Sequence, residues 1–409
     1  MQSINLKRVA LVIGHLVDQI CDEDLRHSSR VAVMAWRIGR RMQLPQADLD
    51  DLMIAALIHD CGVASPKEYM TTVTQLRWGD EDEHCRRGAE YVGNCTLLKA
   101  YKNIVRYHHT PWNKLENEPI PEREKILANI LFCVDRSYVG FHDLSQKVGY
   151  NNVINFKPEM CLPLTNLEDR SVAGDIMGAF QDVARTDGFW LALYPDFLDS
   201  TLSPLNQQNG VDHEITPGQM RNIGTLISRL VDVKSHFTQE HSERVSLIST
   251  TLAERLGLDD TTVKELEIAA LLHDVGKQQA PESILLKPGS LDESERAIIK
   301  RHTIGTEVIL NMLFSDCHLV EWASNHHEKL DGSGYPYGLV STELDTCSRI
   351  LTMSDIFQAL TQDRPYRERM SPDGALGLVG AMVDKGELDA EVFQVLKSGL
   401  SFFYELSIA

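Results

Sequence analysis

The feature that most constrains this chain is a pattern of histidines and aspartates that it spells twice. "IAALIHDCGV" runs from Ile54 to Val63, and "IAALLHDVGK" runs from Ile268 to Lys277. Aligning these stretches also aligns "HSSRV" at His27 with "HSERV" at His241, at the same distance upstream. Downstream, His84 and the pair His108–His109 match His302 and the pair His326–His327. Asp135 in "LFCVDRS" and Asp355 in "LTMSDIF" close the two sets. Seven metal-competent positions recur in order, which implies a duplicated domain. His84 is the loosest match, because it stands closer to its His-Asp pair than His302 does.

Both copies read as helical. In "ERVSLISTTLAERLGL" the residues Val245, Ile248, Leu252 and Leu256 recur at three- and four-residue steps and line one helix face. "TTVKELEIAALLHD" starts on a threonine cap with Glu265 in its early turns. Few stretches alternate like strands. The expected fold is all-α, with two tandem bundles of about five to seven helices each. The segment Ser200–Gln219 is polar, holds Pro204, Gly210 and Pro217, and lacks periodicity. It divides the chain into residues 1–203, a linker 204–215, and residues 216–409.

The 409 residues suffice for two domains with real cores. A net charge of −19 argues against general binding to nucleic acid or anionic membranes. No apolar run approaches the ~20 residues that span a bilayer. The N-terminus carries His15 and Asp18 within its apolar stretch and reads as a first helix, not a leader peptide. The eight cysteines form no C-x-x-C pair and suit the reducing cytoplasm, as small core or surface residues. The aromatic run "DGFWLALYP" from Asp187 reads as core packing. The acidic run "DEDEH" from Asp80 reads as a solvated helix start before His84.

Adjacent residues on a helix point about 100° apart, so His273 and Asp274 reach one site only at a helix end. With His241, His302, His326, His327 and Asp355 arriving from other helices, they form the donor set of a bundle-core metal site. Imidazole with a bridging carboxylate suits Fe, Mn, Co, Ni or Zn, and the absence of cysteine ligands argues against a structural zinc site there.

"HSERV", "LLHDVGK", "RH" at His302, "HHEKLDGSGYP" and "SDIFQALTQDRPYR" together resemble the HD-GYP family of cyclic-dinucleotide phosphodiesterases, over nearly all of residues 236–370. The resemblance implies that His241, His273, Asp274, His302, His326, His327 and Asp355 hold two or three divalent metals, most often Fe or Mn, with Asp274 bridging. On that resemblance, metals there would activate a water for in-line attack on phosphorus, with departure of the 3′ oxygen giving a linear dinucleotide with a 5′-phosphate. Lys277 matches the lysine that steadies the scissile phosphate. It lies one turn past His273 if the helix continues. In the loop Asp331–Pro336, Gly332 and Gly334 permit turn conformations closed to other residues, and Pro336 stiffens the exit. The resemblance puts Gly334 and Tyr335 at the substrate, with Arg364 and Arg367 on its phosphates. Two departures stand out. Phe237 occupies a position where some members carry a glutamate for a third metal, which favours two metals unless Glu240 substitutes. The interval from His302 to His326 is shorter than in some members. The substrate that the resemblance implies is cyclic di-GMP or 3′,3′-cGAMP, a choice the sequence leaves open.

The N-terminal copy keeps His27, His59, Asp60, His84, His108, His109 and Asp135, a second candidate metal set. It lacks the lysine, since Val63 stands there, and it has no DGSGYP loop. Arg136 is its only arginine near Asp135. It resembles a divergent HD domain, and three roles stay open: a structural remnant that dimerises or supports its neighbour, a phosphohydrolase acting on a smaller phosphate such as the linear product, or a sensor. Regulation is expected through this copy, a homodimer or a partner protein. For the C-terminal copy the rivals are a nucleotide phosphomonoesterase, which Lys277 and DGSGYP disfavour, and a non-catalytic cyclic-dinucleotide receptor, which intact ligands disfavour.

Overall fold

A computed structural model describes residues 2–21, 25–75, 81–167, 170–207, 212–234, 241–314, 317–363 and 368–408. Two compact units emerge, Ser3–Glu214 and Ile215–Ala409, the latter joined by Gln2. Both are helical, as the repeat implies. The described strands Gln2–Asn5 and Asp212–Ile215 are short and pair with one another.

In the C-terminal unit, helix His241–Arg255 buries Val245, Ile248 and Leu252, while Leu256 beyond its end is half-buried. Each fully buried aliphatic side chain contributes about 1.5–3 kcal/mol. This helix packs on Asp260–Leu272 and on Thr346–Thr361. The cap of Asp260–Leu272 is Asp259, not a threonine: its carboxylate accepts from the Thr261 and Thr262 amides at 3.0 and 3.2 Å. Helix Glu293–Leu313 starts on a reciprocal capping box between Asp292 and Glu295. The N-terminal unit repeats this core with helices His27–Arg41, Gln46–Ile58, Glu81–Asn94, Lys102–Tyr107 and Glu122–Val148.

Three further expectations change. Among the described residues the units hold fourteen and ten α-helical segments, more than five to seven. The excess includes one-turn helices such as Trp112–Leu115 and Tyr150–Val153, too short to show a period. The joint is less bare than its polarity suggests. Helix Pro195–Gln207, anchored by buried Leu198 and Leu202, runs into it, and strand Asp212–Ile215 ends it. Finally, the helix before His273 stops at Leu272, and a 3₁₀ turn, Val275–Gln279, carries Lys277. The aromatic run is core: Phe189 and Trp190 are fully buried, and the indole N–H donates to the Ala184 carbonyl at 2.8 Å.

Candidate functional site

Five chain segments deliver the C-terminal set. His241 opens its helix, His273 and Asp274 follow the end of the next, and His302 sits mid-helix in Glu293–Leu313. His326 and His327 follow helix His318–Ser324, and Asp355 sits within Thr346–Thr361. The approach of Glu293–Leu313 depends on Gly276. A Cβ there would stand 2.0 Å from the His302 carbonyl oxygen and 2.5 Å from the Thr306 amide nitrogen. Thr306 closes this contact, accepting from the Gly276 amide at 3.1 Å and donating to the His273 carbonyl at 2.8 Å.

The seven residues form two half-sites around Asp274. One of its oxygens, Oδ2, lies 3.3 and 3.6 Å from the Nε2 atoms of His273 and His241. The other, Oδ1, lies 3.6 and 3.7 Å from those of His302 and His326. Asp355 Oδ1 joins the first half, 3.2 Å from His241 Nε2, and His327 groups with His302 and His326 in the second. The outer ring nitrogens are engaged. Nδ1–H of His273, His302 and His326 donates to the carbonyls of Ala270, Ile299 and Ala323 at 2.6–2.7 Å. His241 Nδ1–H donates to Gln358 Oε1 at 2.5 Å. Each Nε2 is thereby left with its lone pair pointing inward. Nε2 pairs then face each other at 3.3 Å (His241, His273) and 3.2 Å (His302, His326). Asp274 Oδ1 is buried without a hydrogen-bond partner. Such a donor set fits cations, one to each half.

The charge states divide between the halves: against its burial, Asp274 and Asp355 raise His273, while the second half is pushed down. Burial alone would raise Asp274, yet His273 and Lys277 hold its carboxyl well below the usual range. Burial pushes His302 down to about 3 and His327 to about 4, so both imidazoles are neutral, as ligands must be. Lys277 folds back onto the cluster, its Nζ 2.5 Å from Asp274 Oδ2. The cluster opens to solvent here: the side chains of Lys277 and His327 are each 25% exposed. Tyr335 forms part of the rim, its ring 4.8 Å from that of His327 and 4.9 Å from Lys300 Nζ. In its loop Gly332 has φ +78°, which glycine permits. Gly334 is needed for a different reason: a Cβ would stand 2.5 Å from the Glu328 Cα. Arg364 and Arg367, and the third-metal positions Phe237 and Glu240, lie outside the described residues.

Sequence reading missed three residues that hold this site. Glu328, fully buried, accepts the amides of Tyr337, Gly338 and Leu339 at 2.6, 3.1 and 3.0 Å and so clamps the DGSGYP loop. Gln358 orients His241 from one turn beyond Asp355, a spacing that offered a signal. Thr306 sits one turn beyond His302.

The N-terminal set assembles likewise. Asp60 Oδ2 faces His59 and His27 at 3.3 and 3.5 Å, and Asp60 Oδ1 faces His84 and His108 at 3.4 and 3.5 Å. His27 Nε2 lies 3.1 Å from Asp135 Oδ1. Despite its shorter spacing, His84 holds the place of His302: a Cβ on Gly62 would meet its carbonyl oxygen at 2.0 Å, as Gly276 meets that of His302. The surroundings differ. His27 Nδ1 has no hydrogen-bond partner, because Tyr138 stands where Gln358 serves His241. Arg136, fully buried, donates to His109 Nδ1 at 3.2 Å. The set is sealed, with the His109 side chain 2% exposed. Cys85 also enters it, bringing its sulfur within 4.8 Å of the donors of His84, His108 and His109. Burial alone would raise the Cys85 thiol, but His108 and His84 bring it down to about 6.

Comparison with known proteins fits this duplication. Profiles described as HD domain match residues 24–130 and 225–392. The 3′3′-cGAMP-specific phosphodiesterase 1 of Vibrio cholerae is 34% identical over all of this chain and 94% of its own. The 3′3′-cGAMP-specific phosphodiesterase 3 of the same organism is 42% identical over 97% of this chain and 95% of its own. The cyclic di-GMP phosphodiesterase response regulator RpfG of Xanthomonas campestris is 40% identical over 38% of this chain and 42% of its own. The crystal structure of V-cGAP3, a cyclic GMP-AMP specific phosphodiesterase of V. cholerae, covers 98% of both chains with a TM-score of 0.61 at 21% identity, a likeness of fold. No described helix is long and apolar enough to cross a membrane. The chain belongs to the HD-GYP family of cyclic-dinucleotide phosphodiesterases and carries a second HD domain in its N-terminal half.

Proposed function

We propose that the C-terminal unit, residues 216–409, hydrolyses a 3′,5′-phosphodiester of 3′3′-cGAMP to a linear dinucleotide with a 5′-phosphate. The observation that carries this reading is Asp274, which turns one carboxylate oxygen to each of two histidine half-sites beside a half-buried lysine. Two divalent ions there, Fe or Mn, supply activated water and neutralise phosphoryl oxygens when bound. His241, His273 and Asp355 hold one, and His302, His326 and His327 the other. Lys277 swings from Asp274 to the developing phosphate charge, and Tyr335 walls the entrance. Arg364 and Arg367 take the second phosphate. The choice of 3′3′-cGAMP rests on architecture. The two relatives matched over nearly this whole chain are named for it, whereas RpfG, named for cyclic di-GMP, matches 38% of the chain.

The N-terminal unit has a structural or regulatory role, since its cluster is sealed and Val63 replaces the lysine. The test is product analysis. The full chain, loaded with Mn or Fe(II), is given 3′3′-cGAMP, cyclic di-GMP and cyclic di-AMP in turn. Linear dinucleotide forms fastest from 3′3′-cGAMP and is absent with Asp274→Ala. A faster rate on cyclic di-GMP overturns the substrate assignment, and full turnover by Asp274→Ala overturns the site.

A further inference from the structure

The N-terminal cluster contains a donor with no counterpart in the C-terminal one. Cys85 Sγ lies 3.5 Å from His84 Nε2 and 3.8 Å from His108 Nε2, and those nitrogens are 3.4 Å apart. Asp60 Oδ1 lies 3.4 and 3.5 Å from the same two nitrogens. Asp60 is buried, and neither of its carboxylate oxygens has a hydrogen-bond partner. A tetrahedral ion with bonds of about 2.05 Å to nitrogen or oxygen and about 2.3 Å to sulfur separates its N/O donors by about 3.3 Å and sulfur from nitrogen by about 3.6 Å. Five of the six edges, all but sulfur to Asp60, match those lengths within about 0.2 Å.

We infer that Cys85 is a thiolate ligand to a metal ion held with His84, His108 and Asp60, a coordination that the C-terminal domain does not share. At the corresponding position the C-terminal copy has Thr303, also buried, whose hydroxyl turns away to donate to the Lys300 carbonyl at 3.0 Å. The third imidazole, His109, is contacted by an arginine that the C-terminal copy lacks. Arg136 donates to His109 Nδ1 at 3.2 Å, and His109 Nε2 lies 3.2 Å from Asp135 Oδ2. Cys85 adds a thiol donor to this group, within 4.8 Å of the His109 donor.

The consequence is chemical. Thiolate with imidazole selects Zn(II), Co(II) or Fe(II) over Mn(II). The thiol releases its proton to solvent on binding. Four protein donors leave no open position for water or substrate, the arrangement of a structural metal rather than a hydrolytic one. The inference does not depend on what the C-terminal domain cleaves.

Cobalt(II) alone is the probe, in the full chain carrying Asp274→Ala to disable the other centre. The expected result is a near-ultraviolet thiolate-to-cobalt charge-transfer band. Cys85→Thr abolishes the band with far-ultraviolet circular dichroism unchanged, while Cys61→Ser, a control at a neighbouring buried thiol, retains it. Bound cobalt without the band, or a band that survives Cys85→Thr, overturns the inference. Failure to bind cobalt at all overturns it too, leaving Cys85 a thiol paired with imidazoles. Should Cys85→Thr fail to fold, X-ray absorption of the zinc-loaded parent decides. One sulfur at about 2.3 Å supports the site, and a shell of only nitrogen and oxygen refutes it.

Discussion

Replacing Glu328 by glutamine changes no metal ligand and no rim residue, yet it should loosen the loop that carries Tyr335. The carboxylate uses Oε1 for the Tyr337 and Gly338 amides and Oε2 for the Leu339 amide. Glutamine keeps one carbonyl oxygen, so at least one amide faces an NH₂ group. Hydrogen bonds to a charged group contribute about 1.5–3 kcal/mol each and neutral ones about 0.5–1.5 kcal/mol. Losing one bond and weakening two costs about 3–4 kcal/mol before solvent is counted. Tyr337 and Gly338 are exposed, so water recovers part of this and about 2 kcal/mol is left. That figure corresponds to about a thirtyfold rise in local opening. Hydrogen exchange read by mass spectrometry on peptides covering residues 337–339 measures it directly. A global melting curve does not, because two units need not unfold together. Protection should fall about thirtyfold in this loop and stay unchanged around His241 and His273. Unchanged loop protection in Glu328→Gln would refute the clamp.

Further perturbations separate the layers of the site. Gln358→Leu removes the acceptor for His241 Nδ1–H and should weaken metal binding at the C-terminal centre by about ten- to a hundredfold in chelator competition. Gly276→Ala forces a methyl group against the His302 carbonyl. It should destabilise the C-terminal unit by about 3 kcal/mol, seen as an earlier unfolding transition with loss of bound metal. Lys277→Ala should keep the metal content by elemental analysis while turnover falls about 10²–10³-fold. Loss of metal in that variant would make Lys277 a structural partner of Asp274 instead.

Much of the candidate site was legible because metal ligation admits few residue types. Histidines and aspartates that recur in fixed order stand out against a background of interchangeable apolar residues. The same reasoning fails wherever a residue acts through an ordinary contact. Glu328 reads as one more charge beside His327 until three amides are found on its carboxylate. Cys85 reads as core packing until its sulfur is seen between two imidazoles. Lys277 shows a subtler limit. Periodicity placed it one helical turn beyond His273, but the chain tightens into a 3₁₀ turn after Leu272, and Asp274 rather than helix geometry sets the ammonium's position. The joint between the units fooled composition alone, because a polar segment still extends a helix whose apolar face is anchored upstream.

The two copies indicate where divergence can act on such a centre. Their ligand skeletons match closely: the His27–His59 and His241–His273 nitrogen separations are 3.2 and 3.3 Å. The differences lie one residue out. Val63 for Lys277 removes the cation at the rim. Tyr138 for Gln358 removes the acceptor behind the first histidine. Arg136, where Ile356 stands in the other copy, takes His109. Cys85 for Thr303 adds a thiolate. A ligand skeleton costs buried polar groups, and burying them without a cation leaves carboxylate oxygens such as those of Asp60 unpaired. Retention of a buried Asp60 between His84 and His108 in a copy that has lost its rim therefore fits a metal that stabilises the N-terminal domain. Stripping that metal should lower the unfolding temperature of the N-terminal unit even when the C-terminal centre is already disabled by Asp274→Ala. An N-terminal unit equally stable with and without metal would mean that the skeleton survives for packing alone.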